Sequence, residues 1–62
     1  IHRMRIRNAR KLLMNSSKSI KEIALESGFR DSVYFRRIFL RGEGMTPRAF
    51  RKLYSKYHVN TE

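Results

Sequence analysis

At 62 residues the chain can hold one small domain, near the lower limit at which an unstapled core sustains a fold. Cysteine is absent, which excludes disulfides, thiolate metal sites and a cysteine nucleophile. Fifteen Lys and Arg against five Asp and Glu give a net charge of +10, a surplus that points to a polyanionic partner, nucleic acid before anionic membrane.

His2 and His58 stand near opposite ends with no carboxylate cluster beside either, so neither a metal centre nor a catalytic triad is expected. No apolar run approaches the ~20 residues that span a bilayer. The Arg-rich start lacks the apolar stretch of a secretion signal. The chain opens at Ile1 already inside a helical pattern and reads as a piece of a longer protein.

Residues 1–14 carry that first pattern. Ile6, Ala9 and Leu13 recur at i, i+3, i+7 with Leu12 beside them, one apolar stripe of a helix. Arg3, Arg7, Arg10 and Lys11 lie off the stripe, either as a solvated face or as phosphate contacts. No N-cap residue precedes them. Asn15-Ser16-Ser17-Lys18 then breaks the helix with side chains that compete for backbone hydrogen bonds.

Ser19-Ile20-Lys21-Glu22 has the form of a capping box, which predicts a second helix beginning at Ile20. Ile20, Ile23, Ala24 and Ser27 mark its inner face. Ala24 is small where two steeply crossing helices must approach. Gly28, four residues on, suits the left-handed conformation of a helix end, and Phe29 should fold back over the crossing. Small residue, glycine, aromatic: this is a helix-turn-helix corner.

Asp31 or Ser32 can cap a third helix. At 100° per residue, Phe35, Ile38 and Phe39 fall on one side with Tyr34 at its margin. Val33, Arg36, Arg37 and Leu40 fall on the other, with Ser32 at the N-terminal end. That is the pattern of a helix buried on one face and presented to a DNA major groove on the other. Arg bonds guanine O6 and N7 bidentately, Ser reaches bases or phosphates, and Val meets a thymine methyl.

Gly42-Glu43-Gly44-Met45 reads as a turn, and Thr46-Pro47 as the N-cap and first position of a fourth helix. Phe50, Leu53, Tyr54 and Tyr57 form its apolar stripe, with Arg48, Arg51, Lys52 and Lys56 opposite. Residues 58–62 have no pattern and read as a fraying tail. The fold class expected is all-α: a four-helix helix-turn-helix subdomain of homeodomain-like type.

The runs R-I-x-x-A-x-x-L-L (Arg5 to Leu13), S-I-K-E-I-A (Ser19 to Ala24), G-F-x-D-S-x-Y-F-x-R-x-F (Gly28 to Phe39) and G-x-T-P-x-x-F-R (Gly44 to Arg51) together resemble the AraC/XylS family of bacterial transcription regulators. The resemblance implies the second of that family's two helix-turn-helix subdomains, with residues 1–14 as the end of the linking helix and 15–57 as the subdomain itself. It implies a cytoplasmic protein that binds promoter DNA and activates transcription through contact with RNA polymerase, with no membrane and no small-molecule ligand for this part of the chain.

Carried over position by position, Ser32, Val33, Arg36 and Arg37 fall where the family reads bases or grips phosphates, and base reading is the role expected of them here. Arg37 matches the family's common Arg, whereas Arg36 replaces a residue more often small and polar. Lys18, Arg30, Arg41 and Arg48 are the phosphate candidates on the basic flanks and helix starts. Three positions depart from the family pattern: Leu40 stands for a usual Lys, Ser27 for a frequent Val, and Glu43 for an apolar core plug.

The alternative reading is a basic amphipathic domain associated with membrane or RNA. It predicts apolar stripes left free for lipid, and it has no need of the corners fixed by the capping box, Gly28 and Thr46-Pro47. The narrow A-form major groove does not admit such a helix. An enzyme is not expected. There is no carboxylate pair or nucleophile–base pair, and Gly42-x-Gly44 is too short to cradle a phosphate.

Overall fold

The computed structural model describes residues 2–55. Four helices follow in order: α1 (Arg3–Asn15), α2 (Ile20–Glu26), α3 (Ser32–Glu43) and α4 (Pro47–Tyr54). There is no strand among the described residues. Ile1, Lys56, Tyr57 and the 58–62 tail lie outside the described residues, and so does His58.

Each helix starts where its side chains can satisfy free backbone donors. Ser19 Oγ accepts the Glu22 N–H at 3.0 Å and the Glu22 carboxylate accepts the Ser19 N–H at 2.9 Å, the reciprocal pair that the sequence predicts. Asp31, not Ser32, caps α3, its carboxylate accepting the Tyr34 N–H at 2.8 Å. Thr46 Oγ1 accepts the Ala49 N–H at 3.1 Å ahead of Pro47. No side chain caps α1.

The α2 end closes as a Schellman turn. Gly28, at φ +99°, donates its N–H to Leu25 O at 3.1 Å, and Phe29 donates to Ala24 O at 2.9 Å. The chain is thereby turned so that Phe29 lies in the core, as expected of it. The core comprises Ile6, Ala9, Leu13, Ile23, Ala24, Phe29, Phe35, Phe39 and Phe50. Rings step through it from the α2–α3 turn to α4: Phe29 to Phe35 at 5.1 Å, Phe35 to Phe39 at 5.6 Å and Phe39 to Phe50 at 5.5 Å between centroids. Five more apolar residues, Leu12, Met14, Ile20, Ile38 and Met45, are partly buried against it. The faces read from the periodicity of α1, α2 and α3 are therefore the faces that meet.

Three expectations are corrected. Gly42 and Glu43 belong to α3, and the turn begins at Gly44, which takes φ +80° and returns its N–H to Leu40 O. A glycine weakens a helix without ending it, and of Gly42 and Gly44 the second alone adopts the left-handed conformation that does.

In α4, Phe50 is buried but Leu53 and Tyr54 are 65% and 53% exposed. The core reaches only the first turn of this helix, and Tyr54 covers Phe50 from outside at 4.7 Å. Glu43 plugs nothing; it pairs with Arg10 at 3.1 Å at the rim of the core, beside the partly buried Met45.

Arg51 does not join Arg48 and Lys52 on an open face. Its Nη2 donates to Ser16 O at 3.2 Å and its Nε approaches Leu13 O at 3.5 Å. Leu12 O is already taken by the Ser16 N–H and hydroxyl, and Arg51 serves another carbonyl at the α1 C-terminus, that of Ser16. Burial lowers the Arg51 pKa from its ordinary value, but the group stays charged at any working pH.

Candidate nucleic-acid interface

The face of α3 opposite the core is built from position alone. Phe35 and Phe39 are fully buried, which fixes the rotation of the helix and turns Val33, Arg36, Arg37 and Leu40 outward. Val33 is 69% and Leu40 47% exposed, and both arginines are exposed. Ser32, in the first turn, is half-buried. Twelve residues make a rod of about 18 Å, and a B-form major groove about 12 Å wide admits such a rod.

Charge is sorted in a way that leaves this face free. Glu22 completes the capping box, Glu26 pairs with Lys18 at 2.9 Å, Asp31 caps α3, and Glu43 holds Arg10. Every carboxylate among the described residues thus has an internal duty. Neither Arg36 nor Arg37 has an ion-pair or hydrogen-bond partner among those residues. An unpaired guanidinium pair flanked by exposed aliphatic side chains can bond guanine edges and touch thymine methyls.

The flanking cations differ in their freedom. Arg30, Arg41 and Arg48 are exposed, at the turn before α3, in its last turn and in the first turn of α4 respectively. Lys18 is already paired; the hydrogen bond and charge of Glu26 raise its pKa above the ordinary lysine value. Exposed pairs of this kind contribute little and exchange readily, so a phosphate can displace Glu26.

One arrangement has no trace in local sequence patterning. His2 Nε2 lies 3.1 Å from the Tyr34 hydroxyl, and its ring stacks on Phe29 at 5.5 Å and 24°. Arg5 lies across Gly28, with its Nε 3.0 Å from the point where a Cβ would stand. Both join α1 to residues more than twenty positions away, beyond the reach of any helical repeat.

These capped helices with a glycine-turned corner match a family model described as a helix-turn-helix domain over residues 1–53. The chain belongs to the AraC/XylS family of helix-turn-helix domains. Among AraC/XylS relatives, an HTH-type transcriptional activator RhaR from Cronobacter sakazakii is 46% identical over 52 residues, covering 84% of this chain and 18% of that protein. The RhaR of Yersinia pseudotuberculosis is 41% identical over 59 residues, covering 95% of this chain and 20% of that protein. In solved structures, the xylose-binding transcription activator xylR matches with a TM-score of 0.85 and 31% identity over 89% of this chain and 14% of that one.

The chain therefore spans about a fifth of the length of its curated AraC/XylS relatives. As a helix-turn-helix domain of this family, it is a DNA-binding module of a bacterial transcription regulator. Its apolar stripes on α1, α2 and α3 are used against one another, contrary to what a lipid-lying amphipathic domain requires. No helix of the described residues is long and apolar enough to cross a membrane.

Proposed function

We propose that α3 enters the major groove of a promoter, where Ser32, Val33, Arg36 and Arg37 contact base edges. The observation that carries this is the unpaired Arg36 and Arg37 between the exposed Val33 and Leu40, on a helix whose opposite side is locked by two fully buried phenylalanines. Lys18, Arg30, Arg41 and Arg48 hold backbone phosphates on either side and set the register. Leu40 adds an apolar contact rather than the phosphate contact of a lysine.

In this reading α1 is the end of a linking helix and residues 15–57 form one of two subdomains. The parent protein activates transcription, in keeping with the activator names of its relatives; in this reading it does so in the cytoplasm and by contact with RNA polymerase. Chemistry on a substrate has no part in this reading.

The test is selection of a preferred site from randomised duplexes with this chain, followed by Arg37→Ala on that site. Loss of one bidentate contact costs ~1–3 kcal/mol of discrimination at a single base pair, about a 5- to 150-fold loss of preference, while unrelated duplexes are bound with a much smaller change. Unchanged affinity and unchanged base preference would mean that α3 does not read the groove through Arg37.

A further inference from the structure

We propose that the notch between the start of α1 and the α2–α3 turn is a clamp for one DNA backbone phosphate, with Arg5 of α1 as its second jaw. The proposal rests on the reading of α3 as the groove helix and adds a contact from Arg5 of the linking helix, a residue absent from the phosphate candidates read from the sequence. The notch is open, about 420 Å³, and lies beside the first turn of α3. Arg5 and Arg30 both line it, and neither has an ion-pair or hydrogen-bond partner among the described residues.

Arg5 lies across the α2–α3 turn. Its side chain crosses Gly28 so closely that a Cβ there would stand 3.0 Å from Nε and 3.3 Å from Cδ. Gly28 thus has two duties: it takes φ +99° to end α2, and it leaves room for a guanidinium to lie on the turn. The floor is formed by side chains in contact, the Tyr34 hydroxyl lying 3.1 Å from His2 Nε2 and the His2 ring stacked on Phe29. The one carboxylate in the lining, Asp31, is engaged by the Tyr34 N–H at 2.8 Å. Two guanidinium groups against one occupied carboxylate leave a cationic recess suited to a tetrahedral oxyanion.

That oxyanion belongs to the duplex because the recess adjoins the N-terminal turn of the groove helix, where a flanking backbone passes when such a helix docks. A contact from α1 would also couple the angle of the linking helix to the seating of α3.

The experiment measures binding of the 62-residue chain to a mixed-sequence duplex across a salt series, by fluorescence anisotropy. The double variant Arg5→Gln/Arg30→Gln is expected to lower the slope of log K against log salt by ~0.9, the value for one phosphate, with each single variant giving a smaller drop. The control, Arg7→Gln/Lys11→Gln, removes the same charge from the exposed opposite side of α1 and should change the slope less.

Equal slopes for the two double variants overturn the clamp while leaving the groove reading intact. A parallel titration with inorganic phosphate, followed at the Gly28 amide and Arg5 Nε by NMR, separates the two possible sources of the anion. Saturable phosphate binding that the double variant abolishes, with no change in the duplex slope, would make the notch a free-anion site and overturn the DNA assignment. If the unaltered chain binds no duplex, both the clamp and the groove reading fail.

Discussion

Replacing Arg51 with Ala is expected to lower stability and leave DNA affinity nearly untouched, the reverse of what its place in a basic sequence run suggests. Arg51 Nη2 donates to Ser16 O at 3.2 Å, within ordinary reach, whereas the 3.5 Å approach of Nε to Leu13 O is too long to count for much. One charge-assisted bond is worth ~1.5–3 kcal/mol, and partial exposure of the residue puts this one at the low end. The guanidinium also faces the negative end of α1, which has no basic residue of its own in its last turn; that adds ~0.3–1 kcal/mol.

Water can reach the vacated carbonyls and recovers part of the loss, so the net cost is about 1–2 kcal/mol. For a domain of this size each kcal/mol moves the melting temperature by ~4–8 °C. Thermal melts by circular dichroism should therefore fall by about 5–15 °C for Arg51→Ala, by less for Arg51→Lys, and not at all for Lys52→Ala. An unchanged melt combined with weaker duplex binding would refute the capping role and return Arg51 to the phosphate contacts.

Two further outcomes follow from the same kind of reasoning. The Ser27 hydroxyl is buried with no hydrogen-bond partner among the described residues, so Ser27→Ala should stabilise the domain by about 1 kcal/mol; a lower melting temperature would show that the hydroxyl is satisfied. The Ser19 backbone N–H, and secondarily its hydroxyl, hold the Glu22 carboxyl below its ordinary value of 4.5. Its contribution is then complete above that value and is lost as pH falls through the depressed folded-state pKa. The melting gap between the unaltered chain and Glu22→Gln should close on acidification below pH 4.5, and a gap that stays constant would count against the capping box.

Helix starts and the identity of the buried faces were legible in the sequence because both are local. A cap acts over three residues and an amphipathic face repeats every three or four, so Ser19, Thr46, Phe35 and Phe39 could be placed without knowing what they would touch. The outward turn of Arg36 and Arg37 follows from the same arithmetic, since burying one side of a helix exposes the other. The ordered motifs from Arg5 to Arg51 carried the family for a related reason: each marks a corner or a contact that this fold uses.

Other roles were decided only by the tertiary structure. Arg51 and Lys52 are adjacent and both basic, yet one caps a helix 35 residues away and the other meets solvent. Leu53 and Tyr54 sit at proper helical spacing, but α1 and α3 do not extend far enough to cover them. Arg5 lies against Gly28, and Tyr34 against His2, across gaps that no periodicity spans. Local backbone chemistry sets where a helix begins and which side is greasy; how far its neighbours reach determines which long side chain is drawn inward and which is left for the duplex.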